Sequence, residues 1–380
     1  MLENAFLSPL NLSILRKRVS EMPVIAADPL RAVVRAMCKA AGSADYEADL
    51  VADNLVMANL SGHDSHGVGM LPWYFECAQS GSLRVNRHAE LVRDEGAVIL
   101  VDGHAGFGQV IGKEAFDIAI ARARQHGVCV MAIRNSFHLC RIGAWAEQCA
   151  AAGLVSTHHT NVIGHGALVA PFRGSDARYV TNPYTAAMPA TETNPVTLLD
   201  FATSFVAAGK IRVARNKGVE APEGALIDHT GQPTRDPNVL YEEPKGALTS
   251  FGAHKGYGMA LINELFAGVL SGGGTNRPET NREPAATINC MLSVIIDPAR
   301  LVEKAFFDAE TDATIAHVKA SPPANPAEPV LVPGDPERAY REQRGREGID
   351  VDPETWSQIK IGAERFNLPG AELDRIAGLA

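Results

Sequence analysis

This chain lacks most of the signatures that would assign it quickly. No apolar run is long enough to span a bilayer. Basic charge is short: 35 Lys and Arg face 44 Asp and Glu, a net charge of −9. That balance, with no basic patch to offset it, argues against a nucleic-acid or anionic-membrane partner. Cys38, Cys77, Cys129, Cys140, Cys149 and Cys290 are scattered, with no Cys-x-x-Cys, and three sit in or beside apolar segments. They read as reduced thiols in a cytoplasmic protein rather than as disulfides or a zinc site. No Gly-x-Gly-x-x-Gly stands between a strand and a helix. Gly103, Gly106 and Gly108 follow a strand at the wrong spacing for that loop. A phosphate-loop lysine and a Gly-x-Ser-x-Gly elbow are also missing. Met1 to Arg18 interrupts its apolar residues with Asn and Pro, so it does not read as a signal peptide. Arg16, Lys17 and Arg18 leave a transit peptide as the alternative, and Met22 is an alternative start.

What is present is ample core material: 380 residues, 46% hydrophobic, enough for two domains. The segment after Asp28 reads as a helix with Asp28 as N-cap and Leu30, Val33, Val34 and Met37 on one stripe, stopped by Gly42. A second helix runs from Ala44 to Leu60. From Ala97 the character changes to alternating strand and helix, which indicates an α/β domain. Strands are expected at Val98–Asp102, Val128–Ile133, Leu154–His158, Val196–Asp200 and Leu292–Asp297. Helices are expected at Lys113–His126, Gly143–Ala152 and Lys255–Leu270. Ser321–Pro336 carries six prolines and reads as an irregular crossing, followed by a charged helical tail from Glu337.

Two histidine-bearing turns stand out, Ser65-His66-Gly67-Val68 after a helix and Arg134-Asn135-Ser136-Phe137-His138 after a strand. Each presents an imidazole from the end of a regular element, and imidazole passes protons near neutral pH. Taken singly, either histidine is more often structural, and Lys255 could be a solvated helix cap. His63 and His66, three apart, could share a metal, so a divalent-metal hydrolase is the rival from another class. His158, His159 and His165 add imidazoles in what reads as a glycine-rich loop. The zincin spacing is missing. The residues alone indicate an α/β enzyme with redox chemistry.

Taken in order, the motifs resemble the type-2 malate/L-lactate dehydrogenase family, which also includes sulfolactate and ureidoglycolate dehydrogenases, diketogulonate reductase and Δ1-piperideine-2-carboxylate reductase. They are Ser65-His66-Gly67 with Tyr74, Arg134 to His138, Thr160-Asn161, Thr181-Asn182-Pro183, Leu199 to Ser204, Gly209-Lys210-Ile211, His254 to Gly258, and Pro333-Gly334. The resemblance implies a non-Rossmann fold, with a mixed-sheet α/β domain (residues 97–320) inserted in a helical one (1–96 plus 321–380). It further implies a homodimer with its site in a cleft between domains, acting on a small carboxylate substrate. The implied reaction moves a hydride between NAD or NADP and a 2-oxo acid, or in some members a cyclic imino acid. By the same resemblance His138 and His66 are the candidates for the proton, either having been given that role within the family; His138 is favoured for direct contact and His66 as relay or partner. Tyr74 and Asn161 face substrate. Thr160, Asp200, Phe201, Ala202, Thr203, His254, Lys255, Gly334, Asp335 and Pro336 fall where the family binds the dinucleotide.

The departures from the family pattern are informative. Met70 stands where many members carry a carboxylate-gripping arginine, and burying a carboxylate without a cation is costly. Arg141, three residues after His138, is the expected replacement, because a guanidinium can bind a carboxylate through two parallel bonds. Val180 and Val162 replace a glycine and a serine usual near the cofactor.

Overall fold

A computed structural model of the protein describes residues 23–379, so the expectations for Met1–Arg18 and Met22 lie outside the described residues. The described chain groups into two compact units. One holds the residues up to Glu76 and from Ala339 onward, the other Cys77–Arg338.

In the first unit, β1 (Val24–Ile25) is followed by α1 (Ala27–Ala40) and α2 (Asp45–Leu60). The helical spacing buries Leu30, Val33, Val34 and Met37 on one side of α1, and Gly42 at φ 95° ends the run. Asp28 is not the N-cap. The helix already begins at Ala27, and the Asp28 carboxylate meets Arg31 at 2.7 Å from within the first turn. Two 3-10 turns, Asp64–His66 and Val68–Met70, lead into α3 (Leu71–Ser80).

The second unit begins with β2 (Glu90–Glu95), β3 (Val98–Asp102), α4 (Gly108–His126) and β4 (Val128–Phe137). Next come α5 (Gly143–Ala151), β5 (Val155–Ile163), β6 (Tyr184–Met188), β7 (Thr197–Phe201) and α6 (Ala208–Lys217). The short strands β8 (Leu226–Ile227), β9 (Pro233–Thr234) and β10 (Ala247–Leu248) make a small sheet of their own. They precede α7 (His254–Leu270), β11 (Ile288–Ile296) and α8 (Lys304–Lys319). The chain ends through α9 (Asp335–Glu347), β12 (Ile349–Asp350), which pairs with β1, α10 (Pro353–Glu364) and α11 (Gly370–Ala377).

Seven strands form the main sheet in the order β2-β3-β4-β11-β5-β6-β7. Only the β3–β4 pair, joined through α4, is parallel; the others are antiparallel. The sheet is therefore mixed, unlike the parallel dinucleotide-binding fold. One face is closed by α4 and α5 over Ile99, Met131, Ile133, Met291 and Ile295, with Phe116 and Trp145 stacked 6.0 Å apart.

Two strands run further than their apolar residues suggest. β4 continues through Arg134 to Phe137, and β5 through His159, Thr160 and Asn161 to Ile163. His158 and His159 are thus central-strand residues, not loop residues. Their polarity hid the strand, but each imidazole finds a partner inside the protein, as burial requires. His158 bonds Ser293 at 2.8 Å and Ser156 at 3.0 Å, while His159 meets Asn263 at 2.8 Å.

Candidate active site

The turn carrying His138 is built from the loop that failed as a dinucleotide motif. Gly103 N–H donates to the Arg134 carbonyl at 3.0 Å, Ala105 N–H to Asn135 at 2.7 Å, and Phe137 N–H to Gly106 at 3.1 Å. A Cβ on Gly108 would overlap the carbonyl oxygen of His138, so only glycine lets α4 start against this turn. Past His138, the Leu139 carbonyl accepts the Trp145 indole N–H at 3.0 Å, and Cys140 takes φ 62°. Half-buried His138 is therefore presented from a backbone fixed on both sides.

Arg141 follows in the same turn. Its side chain is only 2% exposed and pairs with Glu147, yet its Nη1 has no protein partner. A Cβ on Gly143 would sit 2.6 Å from both that Nη1 and Asp200 Oδ2, so the glycine makes room for the pair. Asp200 is fully occupied by the scaffold. One oxygen accepts the Gly143 N–H at the start of α5 (2.8 Å), the other the Thr185 hydroxyl (2.7 Å).

A polar layer lies between β5 and α7. Glu264 accepts Nδ2 of Asn161 on one carboxylate oxygen and Nδ2 of Asn182 on the other, both at 2.7 Å. Asn161 Nδ2 also donates to the Gly274 carbonyl, and Asn182 Nδ2 to that of Ala260, so both amide orientations are chemically fixed. That leaves Asn161 Oδ1 and Asn182 Oδ1 buried without protein partners, as is the Thr160 hydroxyl. What Asn161 has left is an acceptor. It suits an N–H or O–H group rather than a carboxylate.

The remaining candidates form two groups. Thr203 donates to the carbonyls of Thr181 and Asn182, both at 3.0 Å, and Phe201 meets Phe251 edge-on at 5.2 Å. Phe251 N–H bonds the Thr203 carbonyl, which brings buried Thr203 and half-buried Ala202 beside the start of α7. There His254 and Lys255 are exposed, His254 near Phe172 at 5.8 Å. The N–H groups of Lys255, Gly256 and Tyr257 are already taken by carbonyls of Gly252, Phe251 and Ala253. An anion here would meet side chains and the helix dipole, not a row of free amides. The second group sits at the other end of β7. Pro333 accepts the Leu198 N–H, and Gly334 at φ 96° lies against Val196. Burial pushes the Asp335 carboxyl up, but the Val332 N–H, Lys319 and Arg338 outweigh it and hold it at about 2. Asp335 is thus committed to protein partners, with exposed Pro336 beside it.

In the first unit, His66 sits in the 3-10 turn with its Nδ1 2.9 Å from the Ser65 hydroxyl. Buried Asn59 accepts the Val68 N–H at 2.8 Å and donates to Asp64 at 2.7 Å. Arg344 grips both Asp64 oxygens, at 2.7 and 2.9 Å, and also donates to the Asn59 carbonyl. A Cβ on Gly67 would overlap the Asn59 amide. Half-buried Met70 ends the second turn, and Tyr74 is fully buried. Asp64, which could have joined His63 and His66 on a metal, is bound by Arg344. Among the described residues no three His, Cys, Asp or Glu gather as a metal set.

Asn59, Arg344, Glu264 and Asn263 carry no motif, so sequence reasoning passed over them. For Asn59, Asn263 and Glu264 the signal is polarity on helix faces that otherwise bury; Arg344 lies on a charged helix with no buried residue and gives none.

A sequence profile of the malate/L-lactate dehydrogenase family matches residues 25–360. Hydroxycarboxylate dehydrogenase B of Escherichia coli K12 is 45% identical over 344 residues, 90% of this chain and 94% of that protein. An L-lactate dehydrogenase of Cupriavidus necator is 40% identical, covering 84% of this chain and 91% of its own length. The solved structure of an Escherichia coli protein assigned as a malate/lactate dehydrogenase superposes with a TM-score of 0.90. It shares 43% identity over 94% of this chain and 99% of that one.

Proposed function

This chain belongs to the malate/L-lactate dehydrogenase family, and on that premise we propose that it interconverts a small 2-oxo acid and its 2-hydroxy acid with NAD or NADP. The observation that carries this reading is the rigid His138 turn, with the unpartnered Arg141 Nη1 three residues on. His138 passes the proton to or from the substrate oxygen, and His66 serves as relay. Arg141 holds the substrate carboxylate in place of the arginine that Met70 lacks. Its unpaired Nη1 supports this, because a buried donor without an acceptor is costly.

The nicotinamide, when bound, supplies or accepts the hydride. The residues present suit such a group. Buried Asn161 Oδ1 and Asn182 Oδ1 are acceptors of the kind a carboxamide N–H₂ needs. Exposed His254 and Lys255 offer charge to a pyrophosphate at the head of α7. Phe201, Ala202, Thr203 and Gly334 shape the neighbouring backbone, while Asp200 and Asp335 act through the scaffold.

The working protein is a cytoplasmic homodimer in this proposal. Six free, buried cysteines support a reducing compartment, and among the described residues no helix is long and apolar enough to cross a membrane. For the dimer, α7 is inverted. It buries Gly256, Ala260, Asn263, Glu264, Ala267 and Gly268 and leaves Leu261, Ile262, Leu265, Phe266, Val269 and Leu270 exposed. An uncharged apolar stripe of that kind matches a second copy of itself. Light scattering should give a dimer, and Leu265→Glu a monomer.

The decisive experiment is a panel of 2-oxo acids and cyclic imino acids with NADH and NADPH, following consumption of reduced cofactor. A chelator arm tests the metal-hydrolase rival. No oxidation of either cofactor with any substrate would overturn the reading.

A further inference from the structure

An asparagine that no motif marks stands between the two strands that carry the chemistry. Asn289 lies on β11, between β4 and β5, and is 2% exposed. Its Oδ1 accepts the N–H of Leu139, the residue after His138, at 2.8 Å. Its Nδ2 donates to the carbonyl of Asn161 at 2.8 Å. Only an acceptor can meet the first group and only a donor the second, and a side-chain amide serves both at any pH.

The strand pairing explains why the amide is needed here. Against β5, β11 keeps an unbroken register from Ile288 to Ile296. Against β4 it slips between Asn289 and Met291, next to Asn135 at φ 51°. Pairing with β4 ends at Phe137, and the Asn289 side chain supplies the acceptor for the Leu139 N–H beyond the last paired residue. Asn161 is in turn held by Glu264 and the Gly274 carbonyl. A continuous set of hydrogen bonds therefore runs from α7 through Asn161 and Asn289 to the residue beside His138.

We propose that Asn289 is a positioning residue for proton transfer, tying the His138 turn to β5 through one buried amide. This inference rests on His138 as the proton donor. A leucine at 289 keeps the branching and the number of side-chain heavy atoms but strands one buried N–H and one buried carbonyl. The turn would relax to recover them, and displacements near 1 Å can cost about 100-fold in rate.

The test uses the full chain with oxaloacetate and pyruvate as probes and both reduced cofactors. Asn289→Leu should lower kcat about 100-fold while KM and cofactor affinity stay within about twofold. In a His138→Ala background the same substitution should cost less than about threefold, because the two residues act as one unit. Asn289→Asp provides the conservative comparison and serves if the leucine variant does not fold. A neutral acid can still accept from Leu139 and donate to Asn161, but a carboxylate cannot donate. Its kcat should be near wild type at low pH and fall as the buried acid ionises, a limb the parent lacks. Wild-type kcat in Asn289→Leu, equal losses in both backgrounds, or a parental pH profile in Asn289→Asp would overturn the inference. If His138→Ala keeps normal turnover, the proton-donor reading is what fails. If His138→Ala is inactive and Asn289→Leu normal, only the positioning role falls.

Discussion

The turn that holds His138 is braced mainly by backbone, whereas the turn that holds His66 is braced by side chains. Around His138, main-chain groups of residues 103–106 bond main-chain groups of residues 134–137. Around His66, the bracing comes from the Asn59 amide, the Asp64 carboxylate and the Arg344 guanidinium. A backbone brace has no ionisable part and fails only when something forces it apart. A side-chain brace can be loosened by one substitution or by salt. The difference would suit the roles proposed above, His138 as proton donor and His66 as relay.

The largest expected effect separates the histidines themselves. His138→Ala should lower kcat by about 10²–10⁴ with cofactor affinity nearly unchanged, the loss typical of a general acid. His66→Ala should cost less, as befits a relay. Steady-state kinetics on both variants checks this. If His66→Ala proves the more damaging, the roles exchange and the rigid turn is not the acid's turn.

Next in size are the two glycines that let each turn close. Gly108→Ala drives a methyl into the His138 carbonyl, which backbone bonds prevent from retreating. Gly67→Ala drives one into the Asn59 amide, which is a side chain and can rotate at the expense of its bonds. Overpacking costs about 1–3 kcal/mol or more, and Gly108→Ala should lie above Gly67→Ala. Thermal unfolding of the two variants gives the order. Equal losses would mean that the backbone brace is softer than its hydrogen bonds imply.

How legible was this in the sequence? β3 was read at Val98–Asp102 and α7 within one residue of its start, because apolar period and glycine stops are local signals. The ends of β4 and β5 are not legible, because Arg134, Asn135, His159 and Asn161 are polar residues held in the sheet by partners from distant strands and helices. The histidine turns were found as motifs. What braces them was not: Arg344 reaches Asp64 across 280 positions and Asn289 reaches Leu139 across 150. The glycine loop at 103–108 has the wrong spacing for a phosphate loop. Its glycines answer instead to the close approach of the His138 turn, which sequence spacing cannot display.

The side-chain brace is tested by Arg344→Ala. The Arg344 side chain is 17% exposed and Asp64 52%, so the ion pair alone is screened and weak. Losing the bond to the Asn59 carbonyl as well raises the expected cost to about 1–2 kcal/mol. The wild-type advantage should shrink in high salt, whereas the penalty of Gly108→Ala should not. Salt-independent loss in Arg344→Ala would place the contribution in packing instead.

Acid gives the smallest effect at neutral pH and sharpens the comparison by unit. Burial first, and then neighbouring His159, push the His158 imidazole from its ordinary 6.5 down to about 3. The folded chain therefore holds it neutral where the unfolded chain protonates it. Stability is full above about pH 6.5 and falls as pH drops toward 3, by at most about 1.4 kcal/mol per pH unit for one proton. Asp102, bonded to Arg134 and Asn135 at the end of β4, acts lower in the range. Burial pushes its carboxyl up, but the His104 N–H, Arg134 and Asn135 outweigh that and hold it below the ordinary 3.8. Its contribution is thus present above 3.8 and lost only as pH falls through its lowered value. Both groups lie in the unit that carries His138. Acidification from pH 7 to 4, followed by hydrogen exchange, should therefore loosen the sheet peptides before those of α1 and α2. His158→Gln, which keeps a neutral side chain between Ser156 and Ser293, should flatten the slope of unfolding free energy against pH. An unchanged slope in that variant would move the acid response from His158 to another group.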